Sequence, residues 1–473
     1  MTILTAEIRD RLRDLVGEKG WIDKAADMAP YLTDWRGLAT GRAAVVLRPE
    51  TTAQVGEVVA LCSRNGIGIV PQGGNTGLVA GAVPSPAGDQ VVINLGRMNR
   101  IREIDPLDYT VVVEAGCILA DLQTAAKAAD RVFPLSLGAE GSCQIGGNLA
   151  TNAGGVMTLR YGNMRDLVLG LEVVLPDGRI WNGLRRLRKN NTGYDLKHLF
   201  IAAEGTLGII TAAVLKLFPL PQQTAIALMA VPSPQASVAL LAALRPRTGD
   251  AITAFELVPR LALDLAGRYV PDVTDPFDKP HPWYVLIEID AGGERGDIRQ
   301  MTEEALAAAI EKGFVLDAVV AQNVAQGQKF WRMRESLAEV QKEAGGSIRH
   351  DISVPVSRVP QFLEEATAAV LKAIPDARPF PFGHVGDGNI HFNILKPIGM
   401  EPKSFQARTT EINTIVHDIL LAMGGSISAE HGIGAVRRAE LERTADPLEL
   451  ELMQRVKAAL DPDGIMNPGK LLG

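Results

Sequence analysis

The sequence predicts an α+β fold divided between two domains, and three observations carry that expectation. At 473 residues the chain is too long for one ordinary core. Segments with strand and helix periodicity alternate from residue 43 to Pro221. After Pro221 the texture changes. Ala/Leu-rich helix patterns (SPQASVALLAALRP, MTEEALAAAIEKG) then alternate with apolar strand patterns (TAIALMAVP, WYVLIEIDA).

The elements follow in order. In MTILTAEIRDRLRDLVG, Ile8, Leu12, Leu15 and Val16 fall on one helical face, and residues 1–40 form an N-terminal helical segment. AAVVLRP (43–49) reads as a strand, and TAQVGEVVALCSRNG (52–66) as a helix ending at Gly66. GIVPQGGNTGL (68–78) is a strand running into a Gly-rich turn. QVVINLGRM and TVVVEAGC are strands, and ILADLQTAAKAADR is a helix. VLGLEVVLPDGRIW is a hairpin turning at Pro176-Asp177-Gly178. GIITAAVLKLFPLP (208–221) is the last strand of a domain spanning 41–221. The second domain spans 222–445. It contains a Pro-rich loop at 270–283, a helix at 329–346 and a strand at 346–357. The segment 446–473 ends in DPDGIMNPGKLLG, which has too few apolar residues to fold alone and must pack back on the first domain.

Composition excludes several classes. A net charge of −7 and the lack of any Lys/Arg run argue against nucleic-acid binding. No apolar stretch reaches the roughly 18 residues that span a bilayer. Glu7, Asp10 and Asp14 fit neither a secretory signal nor a transit peptide, so a cytoplasmic location is expected. Cys62, Cys117 and Cys143 are odd in number and widely spaced, which suits a reducing compartment. Without a C-x-x-C, an iron–sulfur cluster is not expected.

Glycines concentrate in three zones of the first domain: PQGGNTGLVAGAVP (71–84), PLSLGAEGSCQIGGNLATNAGG (134–155) and AAEGTLGII (202–210). Successive glycines let backbone N–H groups approach an anion closely. Asn75, Thr76, Ser142 and Asn152 can add donors. The combination suits a pyrophosphate held without many positive charges. The glycine fingerprint of the Rossmann fold and the P-loop motif are both absent. One such zone reads equally well as a tight turn; three in one domain do not.

PQGGNTGL, GSCQIGGNLATNAGG and AEGTLGII resemble the FAD-binding domain of the vanillyl-alcohol oxidase / p-cresol methylhydroxylase superfamily. GHVGDGNIHFN, SAEHGIG and GIMNPGK narrow the resemblance to the D-2-hydroxy-acid dehydrogenase branch. That branch holds D-2-hydroxyglutarate and D-lactate dehydrogenases and the glycolate oxidase flavoprotein. The resemblance covers residues 40–473. It implies a two-subdomain FAD-binding domain of the p-cresol methylhydroxylase type, with an α+β substrate domain built on an antiparallel sheet. Matched positions put Pro71, Gly73, Gly74, Asn75, Thr76, Gly77 and Leu78 along the pyrophosphate. Ser142, Gly146, Gly147, Asn152 and Gly155 follow a second cofactor wall. Glu204 and Ile209 fall near the adenine, and Asn467 near the isoalloxazine. The first glycine loop has no histidine to anchor the flavin covalently, so the resemblance implies noncovalent FAD.

PFGHVGDGNIHFNIL (381–395) places His384 and His391 about a tight loop at the entry of a strand, with His391 and Asn393 on one side. By itself such a pair more often means a hydrogen-bonded couple than a metal site. Glu430, in SISAEHGIGAVRR, and the resemblance reverse that. They imply a divalent ion on His384, His391 and Glu430: zinc, or else manganese or cobalt. His431 is then the candidate base for a hydroxyl proton. Arg334 aligns with a substrate-binding arginine of the family, and Arg349 takes a place often held by lysine. Asn393 lies beside them, while Ala338 stands where some 2-hydroxyglutarate enzymes carry threonine.

The expected activity is oxidation of a D-2-hydroxy acid, first D-2-hydroxyglutarate or a similar diacid, by hydride transfer to FAD. D-lactate or glycolate is the alternative within the class. A hydrolytic zinc enzyme and a noncatalytic flavin subunit are the alternatives outside it. The family implies electron-transfer flavoprotein, a quinone or a cytochrome as acceptor, and a homodimer.

Overall fold

Among the described residues, apolar runs before Pro221 form a four-stranded, a five-stranded and a two-stranded sheet, and those after it form two four-stranded sheets. The computed structural model describes residues 4–37, 39–292 and 297–472. They divide into two units. The first comprises Met1–Gly154, Gly162–Leu220 and Glu430–Gly473; the second comprises Gly155–Tyr161 and Pro221–Ala429.

In the first unit, β1 (Trp21–Ile22), β2 (Val45–Leu47), β3 (Gly68–Gln72) and β4 (Gln90–Asn94) form a sheet in the order β1-β2-β4-β3. Strands β2 and β3 both run parallel to β4. The connection between β2 and β3 is therefore a crossover, supplied by the helix Thr52–Arg64. Thr51 caps that helix by accepting the Gln54 N–H. Every residue of β2 and β4 is buried, as expected of strands covered on both faces.

The second sheet is antiparallel. It holds β5 (Ile101–Asp105), β6 (Thr110–Glu114), β8 (Val168–Val174), β9 (Ile180–Gly183) and β10 (Ile209–Lys216), in the order β5-β6-β10-β8-β9. The β8–β9 hairpin turns through Pro176-Asp177-Gly178 as its sequence requires, with Gly178 at φ +88°. The strand expected over 208–221 is shorter than its apolar run. It leaves the sheet after Lys216, and β11 (Phe218–Pro219) pairs instead with β7 (Arg131–Val132). Pro219 and Pro221 cannot donate to a ladder, which ends the pairing there.

The core of this unit joins distant segments. Leu12 and Val16 of the first helix, Val55 and Val59 of the crossover helix, and Ile69, Val91 and Ile93 of the sheet pack with Ile465 and Met466 of the tail. The tail also extends the sheet. The Ile69 N–H donates to the Ile465 carbonyl at 2.8 Å, and the Asn467 N–H to the Ile69 carbonyl at 2.8 Å, adding a parallel rung beside β3.

In the second unit, β12 (Gln223–Val231), β13 (Ile252–Pro259), β14 (Trp283–Ala291) and β15 (Asp317–Val320) form an antiparallel sheet in the order β13-β14-β12-β15. A smaller antiparallel sheet is centred on β19 (Asn389–Leu395). It is flanked by β18 (Arg378–Phe382) on one side and by β16 (Ser347–Ile348) and β17 (Ile352–Ser353) on the other. The two sheets meet where Leu257 and Gly383 exchange backbone bonds of 2.8 and 3.1 Å. The short segment Gly155–Tyr161 also belongs here: Arg160 donates to the Asp290 carbonyl at 2.9 Å.

Two expected elements differ. The helix expected over 329–346 is split into Val324–Glu335, a 3-10 turn at Ser336–Ala338, and Val340–Glu343. The Ser336 hydroxyl donates to the Met333 carbonyl at 2.8 Å, competing with the helical ladder at the break. The strand expected over 346–357 is likewise two short strands. Between them the ladder gives way to a side chain: the His350 N–H donates to Asn393 Oδ1 at 3.1 Å.

One half-buried carboxylate of β14, Glu288, makes stability depend on pH. Burial pushes the Glu288 pKa from 4.5 up to about 7, and neighbouring Asp290 adds to the rise, against hydrogen bonds from Trp331 and Thr253. Between those two values the folded chain keeps a proton that the unfolded chain has released. Stability is therefore fully present below the unfolded value and is lost as pH rises through about 7. Glu288→Gln is expected to gain roughly 3 kcal/mol over wild type at pH 8 and nothing at pH 4, read by urea unfolding at both. Equal effects at the two pH values would contradict it.

Candidate active site

In the first unit the glycine zones meet. A Cβ on Gly74 would collide with the Ser142 carbonyl, so the first loop lies directly on the second. Gly73 is 3.4 Å from Gln144 Oε1 and 3.6 Å from the Gly147 nitrogen, measured from where its Cβ would stand. The third zone joins them, because a Cβ on Gly205 would lie 3.0 Å from Pro71, at the end of β3. Gly77 and Gly147 have nothing within 4 Å of where a Cβ would stand. Gly146 has a different task. Its N–H donates to the Ala115 carbonyl at 2.7 Å, and a Cβ would meet the Ala115 methyl at 2.8 Å.

Several expected cofactor residues also brace the fold. Asn75, at φ +54°, donates its amide to the Pro30 and Thr33 carbonyls at 3.2 and 2.8 Å. Asn152 accepts the Arg165 N–H at 2.8 Å. The Ile209 side chain lies in the core, and Gly155 falls in the second unit, with its N–H on Thr158. Thr76 and Leu78 are half-buried in the first loop, and Ser142 is exposed.

Glu204 is nearly fully buried. Its carboxylate accepts the Ile433 N–H at 2.8 Å and the Gly434 N–H at 2.7 Å, pinning the loop that carries His431. Burial raises its pKa, against these two bonds and the charges of Arg437 and Lys470. Asn467 closes the same corner by donating to the Gly81 carbonyl at 2.9 Å and the Glu204 carbonyl at 2.7 Å.

In the second unit, Phe382 of β18 pairs with His391 of β19, and the loop between them carries His384. The two imidazole rings stand 5.6 Å apart, centre to centre. His391 Nδ1 lies 3.9 Å from Asp351, and the Asp351 carbonyl accepts the Ala429 N–H at 3.2 Å. Glu430 and His431 follow Ala429 directly, at the start of the last segment of the first unit. Asp387, in the same loop, is pushed up to about 6 by burial, with His384 opposing.

The residue that sequence reasoning missed is Glu256. It is fully buried on β13. One oxygen meets His384 Nδ1 at 2.7 Å; the other accepts from Arg334 Nε at 2.8 Å and from Arg334 Nη2 at 2.7 Å. Burial alone would raise its pKa, but the charges of His384 and Arg334 outweigh burial and hold it at about 2. Its one signal in the sequence is a lone carboxylate in the otherwise uncharged run ITAFELVP. Arg334 also lies over the Phe382 ring, 5.0 Å from its centre. Arg349 donates to Ser347 at 3.1 Å and to the Ala338 carbonyl at 3.2 Å. Asn393 is committed on both ends of its amide, to the His350 N–H and to Gln341 at 3.0 Å.

Residues 43–183 match the family model described as an FAD binding domain, and residues 220–471 match the C-terminal domain of FAD linked oxidases. The chain belongs to the FAD-linked oxidases. Among its relatives, a rice protein (Oryza sativa subsp. indica) named probable D-2-hydroxyglutarate dehydrogenase, mitochondrial, is 37% identical over 473 residues, 100% of this chain and 82% of that one. The D-2-hydroxyglutarate dehydrogenase of Stutzerimonas stutzeri is 38% identical over 466 residues, 98% of each chain. The solved structure of p-cresol methylhydroxylase with substrate bound superposes with a TM-score of 0.74 at 17% identity, covering 98% of this chain and 95% of that one. The expected fold class is therefore borne out, and this oxidase is an FAD-dependent oxidoreductase. Among the described residues, no helix is long and apolar enough to cross a membrane.

The first unit of this FAD-linked oxidase fits its cofactor. Gln144 Oε1 and Asn467 Oδ1 are buried acceptors without a hydrogen-bond partner among the described residues. A flavin dinucleotide brings hydroxyl and amino donors that suit such acceptors. The histidine pair of the second unit has the donor chemistry of a divalent-cation site. His384 gives one ring nitrogen to a carboxylate, the usual orientation of a metal-binding imidazole.

Proposed function

We propose that this oxidase oxidises a D-2-hydroxy acid, first D-2-hydroxyglutarate or a similar diacid, to the 2-oxo acid with the help of a divalent cation. The observation that carries this reading is the side-by-side placement of His384 and His391 on one hairpin, with Arg334 tied to His384 through Glu256. The relatives' names support the substrate.

In this reading Pro71, Gly73, Gly74, Asn75, Thr76, Gly77 and Leu78 hold FAD noncovalently. Ser142, Gly147, Asn152, Glu204 and Asn467 complete its site, without Gly146, Gly155 and Ile209, which the fold uses elsewhere. FAD supplies the acceptor for the hydride of the substrate's hydroxyl-bearing carbon. His384, His391 and Glu430 hold the cation, zinc first and manganese or cobalt otherwise, which supplies Lewis acidity toward the alcohol. His431 removes the hydroxyl proton. Arg334 offers the end face of its guanidinium to a carboxylate, since its Nε side is taken by Glu256. Arg349 serves a second carboxylate, together with the Nδ2 hydrogen of Asn393 that Gln341 does not use. Electrons then leave to a separate acceptor of the electron-transfer flavoprotein, quinone or cytochrome type. A cytoplasmic homodimer completes the reading.

A second reading, oxidation of D-lactate or glycolate, is favoured by Ala338, which has no hydroxyl to offer a distal carboxylate. Anaerobic mixing with D- and L-2-hydroxyglutarate, malate, lactate and glycolate separates the two. Bleaching of the visible flavin band is expected with the D-diacid at the lowest concentration. Bleaching by D-lactate alone would favour the second reading, and no bleaching by any of them would overturn both.

A further inference from the structure

Glu256 touches no substrate atom in that reading, yet it joins two of its components. It lies in β13, a strand buried at every residue. The neighbouring Leu257 exchanges two backbone bonds with Gly383, which brings the His384 loop against the strand. The helix Val324–Glu335 delivers Arg334 to the other carboxylate oxygen. A carboxylate is rigid and planar, so partners on its two oxygens are held at a set separation.

We propose that Glu256 is a positioning residue that fixes the spacing between the cation-binding imidazole of His384 and the carboxylate-binding guanidinium of Arg334, and thereby selects acids whose hydroxyl and carboxylate sit on adjacent carbons. The proposal rests on the function proposed above and deepens it. His384 is held through Nδ1, which turns Nε2 toward the ligand side. Arg334 is held through Nε and one N–H of Nη2, which directs its end face toward an anion. Both orientations come from one side chain. A change at Glu256 therefore moves cation binding and substrate binding together.

The test uses full-length, FAD-loaded protein stripped of metal by a chelator and titrated with Zn²⁺ alone. Glu256→Gln keeps the shape but has one acceptor atom for two donors. It is expected to weaken zinc binding by about 10–100-fold and to raise KM for the D-2-hydroxy acid that bleaches wild type, with FAD content unchanged. Glu256→Asp keeps the charge and shortens the reach. It is expected to bind zinc better than the Gln variant and to lose about tenfold in its preference for 2-hydroxy over 3-hydroxy acids. It also serves as the second variant if Glu256→Gln does not fold. A merely structural ion pair would lower stability in both variants and leave zinc affinity, KM and the preference of the folded protein where they were. That result would overturn the proposal. Wild type that takes up no zinc would overturn the cation reading itself, and the two failures are told apart by which protein fails.

Discussion

Replacing His431 with alanine is expected to give a protein that is yellow as purified and stays yellow when mixed anaerobically with substrate. Removing hydride from an alcohol carbon leaves a proton on oxygen that must go somewhere, and a positioned base is worth about 10²–10⁴-fold in rate. Flavin reduction should fall by that factor. FAD content should not fall, because the Ile433 and Gly434 N–H groups still hold the loop on Glu204 when the ring is removed. Stopped-flow absorbance reads the rate, and flavin released on denaturation reads the content. A variant reduced at the wild-type rate would remove His431 from the chemistry. One that loses FAD would make it a structural residue of the cofactor unit.

Stripping the divalent cation should silence the enzyme and spare its colour. The residues proposed to hold the flavin and the proposed cation ligands His384, His391 and Glu430 are different side chains, so the two cargoes are expected to be lost independently. Loss of Lewis acidity at the alcohol removes several kcal/mol of transition-state stabilisation; about 4 kcal/mol is roughly a thousandfold in rate. Chelation followed by desalting should lower turnover by that order, and Zn²⁺, Mn²⁺ or Co²⁺ should restore it. His391→Ala should match the stripped wild type and resist restoration. Full activity after verified metal loss would exclude a catalytic cation at these histidines.

What the sequence made legible was local. The turn at Pro176-Asp177-Gly178 and the glycines that let Gly74 lie on Ser142 follow from backbone demands that only certain residues meet. The histidine pair was legible because both rings sit on one hairpin. Glu256 was not, since its partners are 78 and 128 residues away and nothing in ITAFELVP tells a tethered carboxylate from a stray one. Asn75 and Asn152 show the converse. Small polar residues beside glycines read as anion donors, but where each amide points is decided by the segments packed on it, here Pro30–Thr33 and Arg165. The broken strand at 349–351 was hidden for a related reason: an asparagine side chain stands in for a ladder bond, and its own residue type does not announce that.

The rung that Ile465 and Asn467 add beside β3 also governs the order of events during synthesis. Domains tend to fold in turn as the chain leaves the ribosome. Here the second unit is complete once Ala429 has emerged, while the first, begun some four hundred residues earlier, still lacks part of its core. The first unit, and with it the proposed flavin site, is therefore completed last. A nascent chain stalled before residue 465 should be protease-resistant over 221–429 and unable to retain the cofactor.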